Sequence, residues 1–197
     1  MTPISPLSPR PDVVDFLATR RSRPAKTLTA PAPDRDTLRP LLEAALRVPD
    51  HGKLEPWRLL VLGRDARTRL AEVTRRLGTE QGRDGDKLAK ACAMFADAPA
   101  MVAVVAAPVA SDKIPETEQL LSAGAVCLGL VNAAMAAGWG ANWLSGWMAH
   151  DRAFLAEALS LDAPDWIAGF IVIGTEGAVP TDRPRPDLDV KVAWVDA

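Results

Sequence analysis

Tyrosine is absent from this 197-residue sequence, and histidine and cysteine occur twice each. With His51 and His150 as the only imidazoles, a histidine-rich metal site is excluded. Cys92 and Cys127 lie among Ala, Leu and Met, where they read as small buried side chains rather than as ligands or a disulfide pair. The sequence has no His-Glu-x-x-His, no Cys-x-x-Cys, no Gly-x-Ser-x-Gly and no P-loop, which removes the commonest metalloprotease, thiol-redox, serine-hydrolase and nucleotide-hydrolysing constellations. Gly138-Trp139-Gly140 lacks a third glycine at the required offset and follows a predicted helix instead of a strand, so it is not a dinucleotide fingerprint.

Charge of one sign is also missing. A net charge of −2 and a pI of about 5.7 give no global positive field to recruit nucleic acid or an anionic membrane, so any anion site must be local. The 48% hydrophobic and 24% charged composition departs from that of disordered chains and predicts one folded domain. Pro3, Pro6, Pro9 and Pro11 interrupt the start, leaving no apolar run of signal-peptide type. The expectation is a disordered tip over residues 1–11 and a single domain over 12–197 in a cytoplasmic protein.

The longest gap in charge runs from Gln119 to Ala149. It is rich in Ala and Gly, includes Ser122, Asn132, Asn142 and Ser145, and is flanked by acidic rather than Lys/Arg anchors. That favours an enclosed core helix from about Glu116 to Ala137, covered by other elements or by a partner subunit, over a membrane span.

The remaining pattern predicts a helix from Asp12 to the basic run ending at Arg23, where Pro24 stops it. A second helix is expected from Asp36 or Thr37, with Pro40 in its first turn. Trp57 to Leu62 reads as a strand buried on both faces, Ala66 to Leu77 as a helix, and Gly78 to Gly85 as an exposed loop. Further strands are expected at Met101–Ala107, Trp139–Leu144 and Ile167–Ile173, with a helix capped by Asp151 before the last. The proline-rich tail ends in an alternating Val190, Val192, Trp194. The class is α+β, an α/β sandwich.

With so few acids and bases, the chain suits chemistry carried by a bound cofactor. Four local features fit that idea, and each has a plainer reading. Thr19-Arg20-Arg21-Ser22-Arg23 offers guanidinium forks and a hydroxyl for a phosphate, or is a solvated basic face. Arg47 and His51 lie in a turn between a helix and a strand, where they contact a ligand or satisfy helix carbonyls. Trp143-Leu144-Ser145-Gly146-Trp147 offers amides beside aromatic surface for a flat ring, or is core. Arg183-Pro184-Arg185-Pro186 holds two arginines on a stiff segment, poised for phosphate or simply part of a surface tail.

Together these motifs, with Glu55-Pro56-Trp57, the small-residue helix end and Gly174-Thr175, resemble the nitroreductase family from about Asp12 to the C-terminus. The resemblance implies a central, mostly antiparallel sheet flanked by helices, in an intertwined homodimer that holds FMN at the subunit interface. It implies that Arg20, Arg21 and Ser22 hold the FMN phosphate and ribityl end, joined by Arg185 and Arg183, and that Arg47 and His51 come from the other subunit. Trp143, Leu144 and Ser145 would meet the isoalloxazine. The segment Ala133, Ala134, Met135, Ala136, Ala137 and Gly138 would correspond to the region for the nicotinamide nucleotide. Leu144 departs from relatives with arginine there, and Trp147 would narrow the acceptor space.

The activity implied is ping-pong transfer of two electrons from NADH or NADPH, through FMN, to a nitroaromatic, quinone or other electron-poor acceptor, with no dedicated catalytic base. Reductive dehalogenation, flavin fragmentation and a non-catalytic flavin or nucleotide sensor are the alternatives within this fold, and a plain interaction module is the alternative outside it.

Overall fold

A computed structural model describes residues 6–195. Of the expected tip over residues 1–11, residues 1–5 lie outside that range, and Pro11 already opens helix α1 (Pro11–Thr19). The helix stops four residues short of the expected Arg23. Arg23 instead gives its backbone N–H to the Ala141 carbonyl at 3.0 Å, and Asn142 returns a side-chain hydrogen bond to the Arg23 carbonyl. Arg20 still donates its N–H to the Phe16 carbonyl at 2.8 Å, and pairing of Arg23 with a sheet segment takes the place of a further helical turn.

Helix α2 (Arg35–Ala45) begins one residue earlier than expected because Asp34 caps it, accepting the Thr37 N–H at 2.9 Å. Pro40 therefore lies inside the helix rather than in its first turn, on its exposed side. The sheet comprises β1 (Leu28–Thr29), β2 (Trp57–Leu62), β3 (Ala100–Ala106), β4 (Gly140–Leu144) and β5 (Trp166–Glu176). Its order is β1-β5-β3-β2, with β4 also on β5, and every pairing is antiparallel. Strand β2 pairs only with β3, so it is an edge strand, and Val61 is 56% exposed where burial on both faces was expected.

The loop expected from Gly78 is shorter. Helix α3 (Arg64–Glu80) runs through Gly78, and α4 (Gly85–Ala96) follows. A Cβ at Gly78 would lie 2.3 Å from Leu88 Cδ1, so this glycine serves the contact between the two helices and not a turn. Helix α5 (Glu116–Ala136), α6 (Arg152–Leu159) and a short α7 (Leu188–Lys191) complete the chain.

Alternation along the strands makes two cores. Met101, Ala103 and Val105 of β3 join Leu70, Phe95 and Phe154 from α3, α4 and α6 on one face. Val102 and Val104 join Leu41, Val126 and Leu130 from α2 and α5 on the other. The class is α+β, as expected. Phe95 is fully enclosed and lies edge-on to Phe170, with ring centroids 5.1 Å apart.

Helix α5 is long and apolar enough to cross a membrane, but one of its sides packs on β3, β4, β5 and α2 as a core helix. Its buried Gln119 exchanges hydrogen bonds with the Val109 backbone, at 2.7 and 2.9 Å. Leu121 and Leu128 on its other side are exposed, as are Val13, Val14 and Leu17 of α1, which buries none of its residues. The tail forms no strand among the described residues. Asp187 caps α7, so Val190 is helical, and Val192 and Trp194 stand exposed.

Cys127 is enclosed between α5 and the sheet, and this burial pushes its thiol from 9.0 up to about 12. The unfolded thiol ionises above pH 9 while the folded one stays protonated, so the native state binds the extra proton and stability falls as pH rises. Denaturant unfolding between pH 9 and 11 should show a slope for this thiol approaching about 1.4 kcal/mol per pH unit. Cys127→Ala should remove that component; an unchanged alkaline slope in the variant would contradict the assignment.

Candidate functional site

The segment Arg20 to Arg23, held against β4, gathers positive charge in a partly buried place. Arg20 donates to Ser22 Oγ at 3.0 Å and reaches Met135 Sδ at 3.9 Å, near the end of α5. Arg21 donates to the Ser22 carbonyl at 3.0 Å. Among the described residues neither arginine has a carboxylate partner, and the Nε of each is buried without any hydrogen bond. Arg23, in contrast, pairs with Glu176.

The tail supplies a further charge. Burial draws the Arg20 guanidinium below the ordinary arginine range, and the nearby positive charge of Arg185, then of Arg21 and Arg23, lowers it further. Arg185 thus lies near Arg20, although it is more than 160 positions away in the chain. It donates to Asp182 Oδ1 at 3.0 Å. Arg183 contributes its backbone N–H to the same oxygen at 2.8 Å, and its side chain is exposed. Of the two tail arginines, Arg185 joins the cluster.

A second polar group sits at the other end of α5. His51 Nδ1 lies 2.8 Å from Glu118 Oε2, with both side chains about half exposed. The turn around it is pinned: Trp57 Nε1 donates to Ser122 Oγ at 3.0 Å, and that hydroxyl donates to the Pro49 carbonyl at 2.8 Å. Asp50 accepts the N–H groups of Leu54 and Glu55. Lys53 and Glu55 are held in the left-handed region, at φ 53° and 49°, and such strain persists only where surrounding contacts over-determine it. Arg47 is exposed just beyond α2 and pairs with no carboxylate among the described residues.

The two groups do not meet in one chain. Glu118 and Met135 are separated by about 25 Å of helix at 1.5 Å per residue. Arg20, Arg21 and Ser22, with Arg185 nearby, make one candidate group, and His51 with Glu118 makes another; Arg47 lies exposed just beyond α2.

Strand β4 runs beside the first group. Trp143 and Leu144 point to opposite faces of the sheet. The Trp143 ring lies over Gly124 and Gly169, with Nε1 donating to the Ala168 carbonyl at 3.0 Å, and a Cβ at Gly169 would fall 2.2 Å from that nitrogen. Leu144 lines a pocket of about 240 Å³ with Ala25, Lys26, Lys90 and Met94. Ser145 is exposed, while Trp147 is half-buried between Arg83, 4.0 Å above its ring, and Phe154. In the segment 133–138, Ala134 is enclosed in the core, Ala133 and Met135 are half-buried, and Ala136, Ala137 and Gly138 are exposed.

Sequence reasoning did not single out Asp182, Glu176 or the pairing role of Arg23. Asp182 could have been noticed as the acid next to Arg183-Pro184-Arg185. Glu176 carried no local signal.

The chemistry of the cluster suits a phosphate. Two desolvated arginines without carboxylates, a hydroxyl and a stiffened third arginine present forked donors to a dianion. Comparison with known proteins agrees in fold and family. The family model described as Nitroreductase family matches residues 17–175. A provisionally named NAD(P)H nitroreductase of Haemophilus influenzae is 36% identical over 182 residues, 91% of this chain and 96% of that protein. A nitroreductase-like family protein from Bacillus cereus has the same fold, with a TM-score of 0.78 at 22% identity, over 99% of this chain and 100% of its own. The NADPH:FMN oxidoreductase from Vibrio harveyi, complexed with NAD+, gives a TM-score of 0.72 at 16% identity, over 93% of this chain and 76% of its own.

An anion that relieves the repulsion among these arginines should stabilise the fold. Inorganic phosphate at ten times its Kd should add about 1.4 kcal/mol, read as a rise in Tm. Sodium chloride at equal ionic strength should add much less, and Arg21→Gln should abolish the difference. Equal responses to the two salts would contradict a phosphate site here.

Proposed function

This chain belongs to the nitroreductase family, and we propose that it is an FMN-dependent NAD(P)H oxidoreductase that works as a homodimer with FMN at the subunit interface. The observation that carries the reading is the half-buried pair Arg20 and Arg21, whose Nε atoms are buried without partners and which lack carboxylates among the described residues, with Arg185 near Arg20. In this reading Arg20, Arg21 and Ser22 bind the FMN phosphate and ribityl end, and Arg185 closes on the phosphate from the tail. The Arg183 side chain is exposed and is assigned no contact with the phosphate in this reading.

Arg47 and His51 serve the site of the other subunit. Their position at the far end of α5 from Arg20 supports this, because one chain alone leaves the two half-sites apart. The exposed apolar residues Val13, Val14, Leu17, Leu121 and Leu128 support burial against a second copy.

FMN supplies the redox chemistry when bound, taking a hydride from NADH or NADPH and delivering two electrons to a nitroaromatic, quinone or other electron-poor acceptor in alternate half-reactions. The protein binds, orients and screens. The Trp143 and Leu144 side chains point to opposite faces of the sheet, so in this reading Trp143, Leu144 and Ser145 would meet the isoalloxazine through their backbone, whose N–H groups would stabilise charge that develops on the ring. Ala133, Ala134, Met135, Ala136, Ala137 and Gly138 form a small-residue wall that admits the nicotinamide nucleotide, with Ala134 contributing only to its backing. His51 binds and is assigned no proton-transfer role. The packing of α5 on the sheet and α2 supports a core helix rather than a membrane span.

The test is an absorbance titration of the purified protein with FMN, followed anaerobically after NADH and then NADPH. Bound FMN should bleach with at least one donor and recover on adding a quinone. FMN that binds but does not bleach would replace the reductase reading with a sensor, and absence of binding would end it. Arg20→Ala should weaken FMN binding by about 10- to 100-fold, the range for hydrogen bonds to a charged group, and leave riboflavin binding little changed.

A further inference from the structure

The phosphate half-site already holds an anion of its own. Asp182 accepts from Arg185 Nη2 at 3.0 Å through Oδ1 and at 3.4 Å through Oδ2, and Oδ1 also takes the Arg183 N–H. The Arg183 N–H, and after it the charge of Arg185, hold the Asp182 carboxyl below the usual carboxylate range, and Arg21 adds to the effect. Asp182 is hydrogen-bonded to Arg185 and lies near Arg21, two of the three arginines near Arg20.

The other nearby carboxylate, Glu176, is engaged by Arg23. Four arginines, Arg20, Arg21, Arg23 and Arg185, stand against two carboxylates, which leaves two positive charges. A phosphate monoester carries nearly two negative charges at neutral pH. The cluster is thus electrically matched to a phosphate with Asp182 in place, and over-supplied with positive charge once Asp182 is removed.

The Asp182–Arg185 pair is weakly held. Its side chains are 64% and 52% exposed, and ion pairs of that exposure contribute little net stability. A phosphate offers three acceptor oxygens and forked, charge-assisted contacts to Arg185, whose flanking prolines limit the entropy lost.

We propose that Asp182 is a built-in competitor for the phosphate group: it holds Arg185 against the cluster, is displaced when a phosphate enters, and so loosens FMN binding and speeds FMN release. This rests on reading the cluster as the FMN phosphate site. The displaced carboxylate remains beside the phosphate and repels it across partly screened solvent. Asp182 is then a device that keeps the cofactor exchangeable, and it acts on the phosphate alone.

The test compares Asp182→Asn with the wild-type protein in FMN and riboflavin affinity, measured by quenching of flavin fluorescence, and in FMN dissociation rate. The Asn side chain retains an acceptor for the Arg183 N–H and removes the charge. The variant should bind FMN about 3- to 10-fold more tightly, chiefly through slower dissociation, with riboflavin affinity unchanged. Asp182→Ala should act in the same direction. Unchanged or weaker FMN binding in both variants, with wild-type protein still preferring FMN to riboflavin, would overturn the proposal and make Asp182 a positioning residue for Arg185. Equal wild-type affinities for FMN and riboflavin would remove the phosphate-site reading itself, and the proposal with it.

Discussion

The close packing of α5 on the sheet sets everything else in this chain. A Cβ at Gly129 would stand 3.1 Å from the Ala45 carbonyl oxygen of α2, so the two helices touch through backbone. Gly124 and Gly169 leave room for the Trp143 ring on the same side. Small residues permit this contact; larger ones would lift the helix away. Once seated, α5 anchors the His51 turn through Glu118 and Ser122 near its start and Arg20 through Met135 near its end. The length of one rigid helix fixes the spacing of the His51 turn and Arg20.

Against that frame, the arginine cluster stands out as a local cost. The chain is slightly acidic overall, yet it brings four arginines together and gives carboxylates to only two of them. Partial burial and mutual repulsion both disfavour Arg20, and the N–H groups left without partners add to the penalty. Such an arrangement suits a site in which an anion supplies the missing partner. The contrast with Arg67 is instructive. That arginine is also buried and its Nε likewise lacks a partner, but its two terminal nitrogens are spent on the backbone, on the Leu62 carbonyl at 2.7 Å and on the Pro99 carbonyl at 3.4 Å, tying the end of β2 to the start of β3.

Local pattern and tertiary capture divide what could be read in advance. Periodic segments such as α3, α5 and β3 were legible because each repeats one burial rule along its length. Errors fell where a distant partner overrode that rule. Arg23 left the helix to pair with β4, Gly78 stayed helical to meet Leu88, and β2 lay at an edge that its apolar composition does not reveal. The alternating tail formed no strand among the described residues, because Asp187 caps α7 and draws Val190 into that helix. At the site, the arginine runs were visible as charge and became specific only through the family resemblance. Their convergence with Asp182 and Glu176 depends on contacts spanning most of the chain, which no short window contains.

Assembly of the site from two subunits is tested most directly by complementation. One chain carries Arg20→Ala with Arg21→Ala, the other Arg47→Ala with His51→Ala, and differently tagged heterodimers are purified and titrated with FMN. Both variant homodimers should bind FMN weakly at each interface. In the heterodimer, assembly in trans collects all four changes at one interface and leaves the other intact, so one site should regain wild-type affinity. Weak binding at both sites of the heterodimer would contradict trans assembly and return the two half-sites to a single chain.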